Sequence, residues 1–249
     1  VGGSMSICET LAVLYGSEMR IDPANPNWEE RDRLVLSKGH AGPALYATLA
    51  LRGYFPKEML SELNENGTHL PSHCDRTKTP GVDMTSGSLG LGISAACGMA
   101  LSAKIRNKDY RVFTILGDGE IEEGQVWEAA MFAGHRKLDN LVVIVDNNNL
   151  QIDGTVEEVN SPYPIPEKFA AFGWNVIEID GHSYDDIENA LAAARACKGK
   201  PTAIIATTIK GKGVSFMENQ VNWHGSAPNA EQYADAMKEL EEVLNGLEG

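Results

Sequence analysis

Hydrophobic residues along this chain occur in two kinds of segment. Short, continuously apolar runs lack the alternation of a one-sided strand, so they predict strands that helices cover on both faces. These runs occupy 33–37, 112–116, 141–145, 175–180 and 202–208. Segments with helical spacing predict helices from Ser4 through 7–15 and over 43–52, 57–65, 91–106, 124–137, 166–172, 183–197 and 230–245. The alternation predicts an α/β fold with a doubly wound, mostly parallel sheet, formed by one domain over 1–249.

Two of the predicted strands end in unusual polar clusters. VFTIL (112–116) runs into GDG (117–119), and LVVIV (141–145) runs into DNNN (146–149). Ligands of parallel sheets bind beyond the carboxyl ends of the strands, so the two clusters are expected to meet at one ligand site. The alternative is an ordinary strand-to-helix turn followed by an asparagine-rich turn, which favours the same residue types.

The two clusters contain the ligands that a hard divalent cation prefers. Asp118 offers a carboxylate oxygen and Asn148 an amide oxygen, and the backbone carbonyl of Leu150 could complete the protein ligands if a phosphate supplies the rest. Gly117 and Gly119 allow a phosphate to approach the backbone closely, and the following helix directs its N-terminus toward the same place. The pattern therefore predicts a cation and diphosphate site.

Composition narrows the classes of protein that are possible. The 249 residues carry a net charge of −14, which argues against a duplex DNA-binding protein. No apolar run has the length of a membrane span, so no membrane association is expected. The cysteines are scattered and form no CxxC pair, which is typical of reduced thiols in a cytoplasmic protein. They are Cys8, Cys74, Cys97 and Cys197.

GDG followed by the asparagine cluster resembles the thiamine diphosphate and magnesium motif. Asn148 lies thirty positions after Asp118. Four further segments resemble the diphosphate-binding domain of transketolase, in the order found in that family. They are DRLVLSKGHAGPALY (32–46), GTHLPSH (67–73), PGVDMTSGSLGLGISAACGMA (80–100) and IKGKGVSFMENQVNWHGSAP (209–228). The resemblance extends over nearly the whole chain and in particular to the separately encoded N-terminal half of a two-chain transketolase.

The resemblance implies roles for individual residues at the cofactor. Asp118, Asn148 and the Leu150 carbonyl would hold Mg²⁺, or another divalent cation such as Ca²⁺ or Mn²⁺. The cofactor-binding residues would be His40, Gly87, Ser88, Leu89, Asp118, Gly119, Asn148, Ile152 and His224. In the 87–89 turn, the family has Gly-Pro-Leu where this chain has Gly-Ser-Leu, a departure that is expected to keep the backbone contact.

The resemblance also implies catalytic residues. His40 and His224 would lie at the cofactor phosphates, with His224 also facing substrate, and His73 would bond the hydroxyls of the donor sugar. Imidazole suits this chemistry because it can donate or accept a proton near neutral pH. Glu123 would belong to an acidic network that crosses to a partner subunit. His182 is interpreted as a bystander.

Some residues near these motifs keep two interpretations. His135 is also interpreted as a bystander, and His69 has no clear role. Lys210 and Lys212 could reach phosphates, but a solvated loop is equally compatible with KGKG. Glu120 and Glu122 are interpreted as favourable charges in the first turn of a helix.

The implied activity is transfer of a two-carbon ketol unit from a ketose phosphate to an aldose phosphate, as in the pentose phosphate pathway. In the family, a glutamate that contacts the cofactor ring and the arginines that bind sugar phosphates lie on a following pyrimidine-binding domain. A further histidine, in a GHxGG segment, would lie just before Val1. We therefore expect an α₂β₂ assembly with a C-terminal subunit that carries the pyrimidine-binding and C-terminal domains, and no activity from this chain alone.

Two other functions are compatible with the same motifs. One is another thiamine diphosphate enzyme, such as a deoxyxylulose-phosphate synthase or a transketolase-like enzyme for an unusual sugar. GTHLPSH and NWHGSAP favour transketolase over the synthase. The other is a non-catalytic binding or regulatory protein; loss of Asp118 or Asn148 would have favoured it, and both are present.

Overall fold

Five parallel strands form the central sheet in the computed structural model, which describes residues 1–247. With the two strands of a separate hairpin included, the strands in chain order are β1 (Arg33–Leu36), β2 (Val112–Gly117), β3 (Leu141–Asn147), β4 (Leu150–Gln151), β5 (Gly154–Thr155), β6 (Asn175–Asp180) and β7 (Thr202–Thr207). The sheet order is β1-β2-β3-β7-β6, with every neighbouring pair parallel, while β4 and β5 form a separate antiparallel hairpin. The predicted mostly parallel sheet is confirmed.

Helices connect the strands and cover both faces of the sheet. They are α1 (Gly2–Met5), α2 (Cys8–Val13), α3 (Gly42–Leu51), α4 (Leu91–Ile105), α5 (Gly124–His135), α6 (Val156–Asn160), α7 (Ile165–Ala171), α8 (Tyr184–Ala196) and α9 (Ala230–Leu247). Short 3₁₀ helices lie at Gly39–Ala41, Lys57–Glu62, Glu120–Glu122 and Val221–Trp223, and a π-helical turn at Leu14–Glu18. Within residues 1–247, no helix is long and apolar enough to cross a membrane.

Two apolar clusters explain why the strands are hydrophobic throughout. Along β3, Val142 and Ile144 belong to one cluster, whereas Val143 and Val145 belong to the other, because successive side chains of a strand point to opposite faces. The first cluster includes residues of α2, α3 and α8, and the second includes residues of α4, α5 and α7. The central strands β2, β3 and β7 are therefore buried on both sides, as expected for a doubly wound sheet, whereas the edge strand β6 is only partly buried.

The structure differs from the predicted elements in three places. The helix predicted from Ser4 is broken between α1 and α2, where the Ser6 hydroxyl donates a hydrogen bond to Asp146 at 2.7 Å, across the fold. The segment 57–65 forms a 3₁₀ helix that ends at Glu62, and Asn64 then adopts a positive φ of 63°, which an α-helix does not accommodate. The β4–β5 hairpin and α6 were not predicted. The assignment of one domain to 1–249 stays a prediction.

Candidate functional site

Four adjacent strands of the sheet end around one cleft. Most of its lining comes from the segments that directly follow β1, β2, β3 and β7, which agrees with the expected position of ligands in a parallel sheet. The lining consists of Gly3, Lys38, His40, Leu89, Gly117, Asp118, Gly119, Glu120, Asp146, Asn148, Leu150, Gln151, Ile152, Lys210 and His224.

The GDG and asparagine segments meet in this cleft and hold one another through the backbone. The Asp118 carboxylate accepts hydrogen bonds from the backbone N–H of Gly119 at 2.8 Å and of Asn149 at 2.5 Å. The Asn148 amide oxygen accepts one from the Leu150 N–H at 3.1 Å. Both predicted cation ligands are buried and fixed in orientation, although they lie on different strand ends.

Asp118 is a carboxylate without a positive partner. Its residue is 2% exposed, and within residues 1–247 it forms no ion pair with lysine or arginine. Burial, and secondarily the charge of Asp146, raise the pKa of Asp118 to about 6. Because a buried charge is costly unless it is paired or bound to a metal, this carboxylate fits a hard cation.

Carboxylates and histidines alone would not complete a cation site here. Among the described residues, no group of three or more His, Cys, Asp or Glu side chains is placed to hold a metal ion. A cation at Asp118 would therefore depend on the Asn148 amide, a backbone carbonyl and oxygens of a bound ligand. That ligand set is compatible with Mg²⁺, which commonly keeps substrate phosphates among its ligands.

Lys210 is a buried cation in the lining of the same cleft. It is 2% exposed, and its Nζ lies 3.1 Å from His224 Nδ1 with no carboxylate in ion-pair contact within residues 1–247. Burial, and secondarily the charge of Lys38, lower the pKa of Lys210 to about 8. The solvated-loop interpretation is thus wrong for Lys210, whereas Lys212 is partly exposed and pairs with Glu218 at 3.6 Å. An unpaired, buried ammonium fits an anionic ligand.

His40 and His224 lie side by side in the cleft, with ring centroids 4.9 Å apart. Burial, followed by the charge of Lys38, lowers the pKa of His40 to about 3. Burial, followed by the charge of Lys210, lowers the pKa of His224 to about 4. Both imidazoles are therefore neutral at pH 7 in the ligand-free chain, so each offers one hydrogen-bond donor and one acceptor.

A close backbone approach brings the 86–89 loop to the cleft. A Cβ atom on Gly39 would lie 2.6 Å from the Ser86 hydroxyl and 3.0 Å from the Gly87 nitrogen, so only glycine fits there. Leu89 reaches the cleft lining, while Gly87 and the exposed Ser88 lie beside it. The His73 ring packs against Gly87, at 3.6 Å from the position a Cβ would take.

The predicted site residues thus separate into two groups. The cleft lining contains His40, Leu89, Asp118, Gly119, Asn148, Leu150, Ile152 and His224. His73, Gly87, Ser88 and Glu123 lie outside that lining, with Glu123 exposed and packed beside Gly90 at the start of α4. Their individual roles stay predictions. His69 and His135 are exposed and lie outside the lining.

The family model described as "Transketolase, thiamine diphosphate binding domain" matches residues 1–242. The chain belongs to the transketolase family. The predicted family, fold and thiamine diphosphate cofactor are thereby confirmed, while the divalent cation stays a prediction.

Relatives of similar length are named as subunits of transketolases. The chain is 56% identical to "6-deoxy-6-sulfo-D-fructose transketolase subunit SqwG" of Clostridium sp. (strain MSTE9), over 97% of this chain and 88% of that protein. It is 42% identical to one of the subunits of the apulose-4-phosphate transketolase of Phocaeicola vulgatus, over 100% of this chain and 88% of that protein. These relatives confirm the prediction of a transferase, and each of them is named as one subunit of a transketolase.

Solved transketolases share the fold but are longer. The transketolase of Campylobacter jejuni superposes with a TM-score of 0.91 at 34% identity, over 96% of this chain and 39% of that chain. The chain therefore spans about two fifths of the solved transketolase chain.

Sequence reasoning missed a buried ion pair at the base of the transketolase cleft. Lys38 Nζ lies 2.5 Å from Asp146 Oδ2, and both side chains are almost fully buried. The same carboxylate accepts hydrogen bonds from the Ser6 and Thr208 hydroxyls and from the Asn148 amide. Burial is the largest single influence and alone would raise the pKa of Asp146, but the Lys38 charge together with the hydrogen bonds from Lys38, Thr208 and Ser6 lowers that pKa. The available signal was a charged residue at the end of each of two apolar strands.

Glu120 was also misread. It does lie in the first turn of the 3₁₀ helix, but it is a buried carboxylate with specific partners rather than only a favourable charge. It accepts hydrogen bonds from the Gly90 N–H at 2.9 Å, the Gly117 N–H at 3.1 Å and the Ser37 hydroxyl. Glu120 therefore joins the ends of β1 and β2 to the start of α4. Its sequence position gave no sign of these distant partners.

Proposed function

We propose that this chain binds thiamine diphosphate and a divalent cation in the cleft and acts as the N-terminal subunit of a two-chain transketolase. The observation that carries the proposal is that Asp118 and Lys210, two buried charged residues that form no ion pair within residues 1–247, line the same cleft. A divalent cation bound to a diphosphate would neutralise both, which explains why the fold tolerates them.

The residues present fit both parts of this ligand. Asp118, the Asn148 amide oxygen and the Leu150 carbonyl would hold Mg²⁺, or another divalent cation such as Ca²⁺ or Mn²⁺. Lys210 and the neutral imidazoles of His40 and His224 would bind the diphosphate from the other side, as ammonium and imidazole N–H donors.

Further cofactor contacts would come from small and apolar groups around the same cleft. Gly119 would present its backbone to the diphosphate, and Leu89 and Ile152 would pack on the apolar part of the cofactor. Gly87 and Ser88 would contribute backbone contacts from the loop beside the cleft. When bound, thiamine diphosphate supplies the nucleophilic carbon that carries a two-carbon unit between sugars.

The protein side of the reaction consists of positioning and proton transfer. His224 lines the cleft beside His40, so the two imidazoles would exchange protons with sugar hydroxyls there. His73, at the edge of the cleft, would bond hydroxyls of the donor sugar. Glu123, exposed beside α4, would face a partner subunit.

The proposed partner is a C-terminal transketolase subunit with the pyrimidine-binding and C-terminal domains, in an α₂β₂ assembly. This assembly is supported by the names of the two relatives, each of which is called one subunit of a transketolase. The four free cysteines support a cytoplasmic location.

We propose 6-deoxy-6-sulfo-D-fructose as the first donor to test, because the 56%-identical relative is named for it. Phosphorylated ketoses are the second class, supported by the 42%-identical relative named for apulose-4-phosphate. In both classes the donor carries an anionic group remote from the ketol unit, on the part released as the aldose, so the partner subunit is expected to supply cationic side chains for that group.

The first experiment purifies this chain from its own host and determines the mass and composition of the complex. Calorimetry then measures thiamine diphosphate binding with and without Mg²⁺. We expect a second chain to co-purify and binding to require the cation. If no magnesium-dependent binding occurs even with the partner present, the chain is a non-catalytic member of the family and the proposal is wrong.

The second experiment offers the complex a panel of ketoses together with an aldose acceptor. Formation of a ketose two carbons longer than the acceptor supports ketol transfer, and the preferred donor identifies the sugar. Cofactor binding without ketol transfer to any aldose would instead indicate another thiamine diphosphate enzyme, such as a deoxyxylulose-phosphate synthase. Full turnover by this chain without a partner would contradict the two-chain proposal.

A further inference from the structure

His182 connects the segment after β7, which contributes Lys210 to the cleft, with helix α2, although His182 itself does not line the cleft. It lies in the turn between β6 and α8. Its Nε2 accepts the backbone N–H of Ile209 at 2.8 Å, and its Nδ1 lies 3.0 Å from Glu9 Oε1 in α2. Because a backbone N–H can only donate, Nε2 carries no proton, and Nδ1–H therefore donates to Glu9. The side chains of His182 and Glu9 are 11% and 17% exposed.

Ile209 directly precedes Lys210, the buried cation of the cleft. The backbone of residues 208–211 is attached to a different part of the fold at each position. Thr208 N–H donates to the end of β3 at 3.1 Å, the Lys210 carbonyl accepts a backbone N–H at 3.0 Å, and Gly211 N–H donates to α1 at 3.1 Å. At Ile209 the N–H donates to the His182 imidazole. The imidazole therefore fixes the peptide between Thr208 and Ile209, one residue before Lys210.

We infer that His182 is a positioning residue that holds the Lys210 ammonium in the cleft and so sets the affinity for the diphosphate of the cofactor. This inference rests on the proposed function for the identity of the anion. A lysine side chain has several rotatable bonds, and a buried ammonium gains hydration if it can turn outward. A fixed backbone at 208–211 holds the Lys210 Cα in place before the ligand binds, so that its ammonium stays within reach of the cleft, which is preorganisation.

The turn that carries His182 does not depend on its imidazole. Gly181 N–H donates to the carbonyl of Thr207 at 2.8 Å, and His182 N–H donates to the Asp180 carboxylate at 2.9 Å. These backbone bonds remain when only the ring is replaced. Substitutions at His182 can therefore separate the bond to Ile209 from the general stability of the turn.

Three substitutions separate the two ring nitrogens. Glutamine places an amide oxygen near the position of Nε2, so His182→Gln keeps an acceptor for Ile209. Asparagine is shorter and places its amide near Nδ1, so His182→Asn keeps the donor to Glu9 and loses the bond to Ile209. His182→Phe keeps the ring volume and loses both bonds. His182→Asn and His182→Gln form the matched pair.

The experiment measures Mg²⁺-dependent binding of thiamine diphosphate and of inorganic diphosphate to the full chain with its partner subunit, by calorimetry. We expect both ligands to bind about tenfold more weakly to the Asn and Phe variants and within about threefold of wild type to the Gln variant. In a Lys210→Met background, adding His182→Phe should change the affinity by less than about twofold, because the two residues act as one unit. The same fold loss in both backgrounds would overturn the inference.

A second readout does not depend on the cofactor. Hydrogen exchange of the Ile209 amide should become at least about tenfold faster in the Asn and Phe variants than in wild type and stay close to wild type in the Gln variant. Unchanged exchange in His182→Asn would overturn the inference. If the wild-type complex binds diphosphate and His182→Asn binds it equally well, only the inference is overturned. If the wild-type complex binds neither thiamine diphosphate nor inorganic diphosphate, the proposed function is overturned and the inference with it.

Discussion

Replacing Lys210 by methionine should stabilise the cofactor-free chain, although Lys210 is proposed to bind the cofactor. Burial holds the pKa of Lys210 at about 8, against its ordinary value of 10.5. At about 1.4 kcal/mol per pKa unit, keeping the ammonium charged in this position costs the folded state about 3 kcal/mol at pH 7. Methionine has a similar length and no charge, so most of this cost should disappear. The loss of the hydrogen bond between Lys210 and His224 offsets a part of the gain.

The pH dependence has a definite sign. The pKa of Lys210 is lowered by folding, so the unfolded chain binds more protons than the native chain between about pH 8 and pH 10.5. The destabilisation is fully present below pH 8 and disappears as the pH rises toward 10.5. The advantage of Lys210→Met should therefore fall from about 3 kcal/mol at pH 7 to about 1.4 kcal/mol at pH 9.5.

Urea unfolding of the two proteins at these two pH values measures both quantities. Lys212→Met is the matched control, because that side chain is partly exposed and forms only a long ion pair, so its effect should stay within about 0.5 kcal/mol. Thiamine diphosphate with Mg²⁺ should reverse the order of stability, since it binds wild type more tightly. A methionine variant that is less stable than wild type at pH 7, by an amount independent of pH, would refute the reasoning.

Three further predictions concern the cleft. Asp118→Ala should weaken thiamine diphosphate binding by at least about 100-fold and remove its dependence on Mg²⁺, measured by calorimetry with and without the metal. Lys38→Met should lower the free energy of unfolding by about 3–5 kcal/mol, because it leaves Asp146 as an unpaired buried charge, measured by urea unfolding. Glu120→Gln replaces one acceptor oxygen by a donor, so the Gly117 N–H or another partner loses its hydrogen bond. The free energy of unfolding should therefore fall by about 1–3 kcal/mol, measured by urea unfolding.

Each of these variants has an exposed control of the same type. Asp153→Ala, Lys57→Met and Glu128→Gln concern residues outside the buried core and should change binding or stability little. Retention of Mg²⁺-dependent binding by Asp118→Ala would remove this residue from the proposed cation ligands. A Lys38→Met chain as stable as wild type would show that Asp146 is solvated or protonated at no cost.

The position of the site could be predicted from sequence because it depends on local patterns. A continuously apolar run ending in GDG, and a second ending in an asparagine cluster, identify two strand ends, and parallel strands place their ends at the same edge. The match of Gly117 to Asp146 across β2 and β3 is the register that this argument requires. The resemblance to transketolase then supplied names for the ligands.

The charge balance inside the cleft could not be predicted in this way. Whether Lys210 lies in a solvated loop or in the cleft depends on how residues 208–211 pack against the rest of the fold, and nothing local encodes that contact. The same holds for Lys38 and Asp146, which lie 108 positions apart in the sequence. Histidine pKa values were expected near neutrality, but the burial and nearby cations that lower them are tertiary properties.

The bond between Gly211 and α1 has a consequence for synthesis of the chain. Gly211 N–H donates to the Gly2 carbonyl at 3.1 Å, so the wall of the cleft joins the first and the last fifth of the sequence. During translation, at roughly 5–20 residues per second, α1 leaves the ribosome many seconds before its partner exists. The nascent chain therefore carries an incomplete sheet with unpaired strand edges until β7 emerges. In that interval the edges are prone to aggregation, and a ribosome-associated chaperone would shield them.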